Sequence, residues 1–307
     1  MREYGQELGK PLVMKVAAIG LGSMGLGAAR NLLAKGLEVT GCDPSEKARA
    51  AFEGPGVARA AELPDGTSAV LVLTVNAAQA GAALFGQEGC STRLAPGAVL
   101  VVSATMAPAD ARALADEAAA RGLLYLDAPV SGGAAGAADG ALTVMASGAP
   151  EAFAAARPVL DRVATKVWEL GDAPGLGATM KVVHQLLAGV HIATAAEAMA
   201  LGIRAGLDPA QIYGVVTGAA GNSWMFGNRM AHVLAGDETP HSAVNIFVKD
   251  LGLVDALARE ANFPVPLAAQ ALQLFVSAAA QGHGRVDDAF VIRAYQALTG
   301  IALPGDP

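Results

Sequence analysis

Over the first half of the chain, short and almost uninterrupted apolar runs alternate with alanine-rich segments of helical pattern. The runs "VMKVAAIG", "LEVTGCD", "SAVLVLTV", "AVLVVSAT", "LLYLDAPV" and "ALTVMASG" lack the strict apolar-polar alternation of a half-exposed sheet. They suit strands covered on both faces, as in a parallel sheet. From Val13 to about Gly171 this succession predicts a doubly wound α/β domain. After "KVWELGDAPG" the strand pattern stops and long helical patterns follow, punctuated by Pro209, the "GDETPHS" loop, Pro264 and Pro266. The second domain is therefore predicted to be all-α. The boundaries read as a flexible extension over 1–13, an α/β domain over 14–173 and a helical domain over 174–307.

Composition narrows the function. At 307 residues and 53% hydrophobic content the chain has enough apolar material for two cores. A net charge of -7 without any run of lysine or arginine argues against nucleic acid and against an anionic membrane surface as partners. Cys42 and Cys90 stand far apart with no CxxC spacing, so neither a disulfide framework nor a metal site is expected and a reducing cytoplasm fits. The opening "MREYGQELGKPLV" has charges of both signs and no apolar segment, unlike a signal peptide. The longest apolar stretch, Met180 to Gly206, is interrupted by Lys181, His184, Gln185, His191 and Glu197. It reads as a buried helix rather than a membrane span.

Candidate chemistry begins at Gly20-Leu21-Gly22-Ser23-Met24-Gly25, directly after a predicted strand and at the start of a helix. Gly20 permits a tight turn, Gly22 a close approach of the backbone to a pyrophosphate, and Gly25 close packing of helix on strand. In a chain with 37 glycines such a match alone is also an ordinary strand-helix turn. Asp43, ending the next strand about 20 residues on, adds the carboxylate that accepts hydrogen bonds from a ribose. It would repel a 2′-phosphate, which favours NAD over NADP. Val75, Asn76 and Thr105 end later strands, where the cofactor cleft of an open sheet lies, although strand termination explains them equally.

A hydride-transfer enzyme also needs a base for the hydroxyl proton. Lys181, in the apolar helical run "GATMKVVHQLLAG", is a candidate because desolvation lowers an ammonium pKa towards neutrality. Helical spacing puts Lys181, His184, Ala188, His191 and Ala195 on one stripe; a lysine snorkelling to solvent is the alternative. Ser131-Gly132-Gly133 offers a hydroxyl and closely spaced amides for a carboxylate, or simply a glycine-rich loop. Lys249 in "NIFVKDLG" stands beside an aspartate, a pattern common on solvated helix faces.

Taken in order, "IGLGSMG", "DAPVSGG", "GLGATMKVVH" and "FVKDLG" resemble the cofactor, substrate, catalytic and closing motifs of the β-hydroxyacid, or 3-hydroxyisobutyrate, dehydrogenase family. The likeness runs from Lys15 to about Tyr295. It implies an N-terminal Rossmann domain, a long interdomain helix and an all-α C-terminal domain that commonly forms homodimers or homotetramers. It further implies that Lys181 is the catalytic lysine, that Ser131, Gly132 and Gly133 bind a small hydroxy acid through its carboxylate, and that Thr105 and Lys249 reach the nicotinamide end of NAD. The family usually has asparagine three residues after its lysine, where this chain has His184. "KVVHQLLAGVHIATAAEAMALG", "NSWMFGNRM" and "PHSAVNIFVKDLG" are similar to the L-threonate dehydrogenase branch, with His184 placed to meet a substrate hydroxyl. Reductases of tartronate semialdehyde are the enzymatic alternative, and a dinucleotide-binding sensor the non-enzymatic one.

Overall fold

The computed structural model describes residues 14–306; the extension read over 1–13 lies outside the described residues. Contacts divide the chain into two compact units. One contains the described residues up to Ala104 together with Ala111–Pro174, the other Thr105–Asp110 together with the residues from Gly175 onwards.

In the first unit the strands are β1 (Lys15–Ile19), β2 (Glu38–Cys42), β3 (Gly56–Val57), β4 (Thr67–Val72), β5 (Leu94–Val102), β6 (Leu124–Asp127), β7 (Val130–Ser131), β8 (Leu142–Ala146) and β9 (Ala164–Glu169). Its helices are α1 (Gly25–Ala34), α2 (Glu46–Ala50), α3 (Ala77–Phe85), α4 (Pro108–Ala120, whose first turn belongs to the other unit), α5 (Gly133–Ala138) and α6 (Pro150–Val163). Six strands form a sheet in the order β3-β2-β1-β4-β5-β6, every pair parallel. The order reverses between β1 and β4, the place where open sheets of this type bind ligands. Alternate strand residues such as Leu71 and Val99 close one core with Leu32 of α1 and Leu160 of α6, and the residues between them, Val70 and Leu100 among them, are buried on the opposite face. The continuous apolar runs thus report burial on both faces, as expected.

The run "ALTVMASG" departs from that expectation. It becomes β8 of a separate three-stranded sheet, antiparallel to β7 and parallel to β9. The chain turns sharply after Ser131 at Gly132 and Gly133, both at positive φ (+133° and +64°), and the short α5 returns it to pair with its own start. Apolar content looks alike in the two sheets, so composition does not separate them.

The second unit is helical, with α7 (Leu176–Arg204), α8 (Pro209–Thr217), α9 (Trp224–Ala235), α10 (Val244–Glu260), α11 (Pro266–Ala280) and α12 (Arg293–Thr299). Helix α7 has a mean hydropathy of 1.6 over its most apolar 18 residues, enough by length and composition to cross a membrane. In the fold its Ile192, Ala196 and Met199 share a core with Phe226, Met230, Phe247 and Phe275 of the helices around it. Gly189 explains the close approach of α10, because a Cβ there would lie 2.8 Å from the Leu251 side chain.

Candidate active site

The residues expected to carry chemistry fall into two groups, one in each unit. In the first unit, β1 ends at Ile19 and α1 begins at Gly25, so the glycine-rich segment is the intervening turn. Gly20 has φ +89°, and a Cβ on it would lie 2.7 Å from the Leu73 carbonyl oxygen. A Cβ on Gly25 would sit 1.7 Å from the Gly20 carbonyl oxygen. Both positions therefore exclude any side chain. Gly22 differs: it is exposed, and a Cβ there would meet no atom within 4 Å. Its lack of a side chain serves nothing inside the protein and leaves the backbone open to a ligand, which is what a pyrophosphate at this turn requires. Leu21 is buried, Met24 half-buried and Ser23 exposed. The residues present therefore fit a dinucleotide.

Asp43 follows β2 and binds the same turn. Its carboxylate accepts the Leu21 amide at Oδ2 (2.8 Å) and the Ser45 amide at Oδ1 (2.8 Å). An ionised carboxylate has about four acceptor sites, so these two bonds fix the group and leave acceptor capacity for ribose hydroxyls. Arg49, which sequence reasoning passed over, donates from Nη1 to the carbonyls of Asp43 (2.7 Å) and Pro44 (3.0 Å). Val75, nearly half exposed, and Asn76 lie on the loop after β4, and Asn76 Oδ1 caps α3 by accepting the Gln79 amide (2.9 Å). Ser131 ends β7, with Gly132 and Gly133 exposed beside it at the start of α5.

The second group lies on two helices. Lys181 occupies the second turn of α7 and is buried at 7% relative exposure, so it does not snorkel. Its Nζ donates to Gln185 Oε1 (2.9 Å), one helical turn on. The same oxygen lies 2.9 Å from His184 Nδ1, and the Gln185 amide nitrogen donates to Asp250 Oδ2. Asp250 Oδ1 pairs with Lys249 Nζ, which also donates to the Thr105 carbonyl oxygen (3.2 Å). Thr105 and Lys249, 144 residues apart in the sequence, are thus brought together. Asp250 is 2% exposed, so the Lys249-Asp250 pair is no solvated face.

Burial dominates the electrostatics. It pushes the Lys181 ammonium down to about 8, assisted by Lys249 and opposed by Asp250. The His184 imidazole is likewise held below its ordinary value, first by burial and then by Lys181. A buried amine that loses its proton near pH 8 beside a neutral imidazole is equipped to accept a proton from an alcohol. Of the stripe read on α7, Lys181, Ala188 and Ala195 are buried, and His184 and His191 half-buried. Gln185 and Asp250 are the members that sequence reasoning did not select. The only signals were the four-residue spacing from Lys181 and the position next to Lys249.

Comparison with known proteins gives likenesses along nearly the whole chain. A family model described as the NAD binding domain of 6-phosphogluconate dehydrogenase matches residues 15–171, and one described as NAD-binding of NADP-dependent 3-hydroxyisobutyrate dehydrogenase matches residues 175–295. The chain is 52% identical over 294 residues to L-threonate dehydrogenase of Escherichia coli K12, covering 94% of this chain and 96% of that one. It is 51% identical over 293 residues to L-threonate dehydrogenase of Cupriavidus necator, covering 94% and 98%. A crystal structure of 3-hydroxyisobutyrate dehydrogenase from Salmonella typhimurium superposes with a TM-score of 0.87 at 51% identity, over 91% of this chain and 99% of that one. Motif order, the buried lysine on the long helix and these likenesses coincide along the chain, which therefore belongs to the 3-hydroxyisobutyrate dehydrogenase family, in its L-threonate dehydrogenase branch, and is an NAD(P)-binding oxidoreductase acting on a hydroxyl group.

Proposed function

We propose that this enzyme oxidises the C2 hydroxyl of L-threonate to the corresponding 2-oxo acid with NAD, and that Lys181 is its general base. The observation that carries the mechanism is the buried Lys181 amine with a proton affinity brought down to about pH 8; the substrate rests on the identity with L-threonate dehydrogenases. NAD, when bound, supplies the hydride acceptor. The Gly20–Gly25 turn, Asp43, Val75, Asn76, Thr105 and Lys249 would hold it. Ser131, Gly132 and Gly133 receive the substrate carboxylate through a hydroxyl and exposed backbone amides. Lys181 removes the C2 hydroxyl proton, and His184 orients a neighbouring hydroxyl, a contact that a substrate with one hydroxyl cannot make.

The preference for NAD rests on Asp43, whose negative charge opposes a 2′-phosphate. Arg49, within reach of the Asp43 and Pro44 carbonyls, supports the competing use of NADP. A cytoplasmic setting accords with two unpaired, buried cysteines. The homodimer or homotetramer reading rests on the family resemblance.

The test is reduction of NAD or NADP by the purified protein with threonate, erythronate, glycerate and 3-hydroxyisobutyrate isomers. The highest kcat/KM is expected for L-threonate with NAD. A preference for glycerate or 3-hydroxyisobutyrate would discard the substrate and the role of His184, and efficient reduction of tartronate semialdehyde instead would favour the reductase reading.

A further inference from the structure

Two residues one turn apart on α1, Gly27 and Asn31, meet the short helix α5 that follows the Ser131–Gly133 loop. A Cβ on Gly27 would lie 2.7 Å from the Ala138 amide nitrogen, so the last turn of α5 rests directly on the backbone of α1. Asn31 Nδ2 donates to the carbonyl oxygens of Ala137 (2.8 Å) and Ala138 (2.7 Å), and at 3.2 Å to that of Gly27 in its own helix. Gly27 and Ala137 are buried and Asn31 is half-buried. The contact joins positions more than 100 residues apart, since Ala137 lies 106 residues beyond Asn31.

The last carbonyls of a helix have no partner within it, and Asn31 supplies one for α5. A helix of six residues (Gly133–Ala138) is too short to hold its own shape, so its attachments decide where it lies. The pairs Val130–Val144 and Ser131–Thr143 tie down the two ends of the connection between β7 and β8. Gly132 and Gly133, both at positive φ, lend the intervening chain little stiffness. Asn31 fixes the far end of α5 and, through this short helix, the loop that leads into it. The side chain is suited to that task. Its acceptors are all carbonyl oxygens, so a carboxylate of the same shape would repel them, and an alkyl group would leave the Ala137 carbonyl unsatisfied.

We propose that Asn31 is a positioning residue for the substrate: it holds α5 against α1 and so sets where Ser131, Gly132 and Gly133 stand relative to the cofactor turn. The inference rests on the reading of Ser131–Gly133 as the carboxylate site. Helix α1 then has two tasks, presenting the cofactor turn at its start and anchoring the substrate loop further along. One rigid element registers both reactants, and a displacement of about 1 Å between them costs on the order of 100-fold in rate.

Asn31→Ala removes the donors, and Asn31→Asp keeps the shape while turning a carboxylate towards the carbonyls. Three quantities are read on the full-length enzyme: KM and kcat for L-threonate at saturating NAD, NAD affinity by calorimetry, and hydrogen exchange of the α5 amides. Both variants should raise KM about tenfold or more and speed α5 exchange by a similar factor. Asn31→Asp should show the larger effects, and NAD affinity should stay within about twofold of the parent. A lowered melting temperature with KM unchanged would make Asn31 a packing residue and overturn the proposal. So would an equal loss of NAD and substrate affinity, because that reports a distorted α1. Ser131→Ala tests the underlying reading separately: an unchanged KM there removes the carboxylate assignment and the proposal with it. A raised KM in Ser131→Ala beside an unchanged KM in Asn31→Ala removes the positioning role alone. Should one Asn31 variant fail to fold, the other decides by the same measurements.

Discussion

A buried ammonium group loses hydration that a neutral amide partner replaces only in part, and Lys181 is bonded to an amide rather than to a carboxylate. Its presence is therefore a cost to the fold, with a definite dependence on pH. In the folded chain Lys181 releases its proton near pH 8, against 10.5 for the ordinary side chain. Between these values the unfolded chain binds more protons, so stability rises with pH across the window, and below about pH 8 the full penalty applies. Lys181→Met should accordingly be more stable than the parent by about 2–3 kcal/mol at pH 7, with the gain shrinking towards pH 10.5; melting curves at pH 7 and 10 measure it. The same variant should lose at least about 100-fold in kcat and keep its affinity for NAD. A Lys181→Met protein that turns over normally would remove the lysine from the chemistry. Lys181 itself was visible in the sequence as a charge in an apolar helical run. Gln185 and Asp250 were not, because neither residue type stands out and their partnership joins positions 65 residues apart.

At the scale of the element, the glycine-rich turn separates two uses of the same residue. Gly25 is required by the protein itself, since a Cβ there would meet the Gly20 carbonyl oxygen at 1.7 Å. Gly22 has open space around it, so nothing inside the protein requires it, and under the proposed function its requirement comes from the ligand. Gly22→Ala should therefore fold with an unchanged melting temperature and bind NAD at least about tenfold more weakly, whereas Gly25→Ala should lose both thermal stability and binding. Calorimetric titration with NAD beside thermal melts checks the pair; equal effects on stability would refute the division of roles. The β1–turn–α1 element was legible from local pattern because its spacing is enforced by short-range sterics. The pairing of β7, β8 and β9 into a second sheet was not, since strands of similar apolar content differ only in which partner the turn at Gly132 delivers them to.

For the molecule as a whole, stability comes from two separate cores, one around the parallel sheet and one around α7. Phe275 is fully buried and stacks on Phe247 with ring centroids 5.2 Å apart. Phe275→Ala should destabilise the protein by about 3–5 kcal/mol, measured by chemical denaturation; a loss under about 1 kcal/mol would mean that the helical core repacks freely. What the sequence by itself determined was whatever depends on neighbours along the chain: the strand and helix succession, the change to an all-α pattern after Gly171, the cofactor turn and the anomalous lysine. These follow from periodicity, sterics and the cost of burying charge, all of which act over a few residues. Only the tertiary structure decided that Asp250 is buried rather than solvated, that Thr105 meets Lys249, and that Gln185 joins the two lysines through Asp250. Such contacts depend on how helices distant in sequence pack, and a hydrogen bond across that packing leaves no periodic trace in the chain.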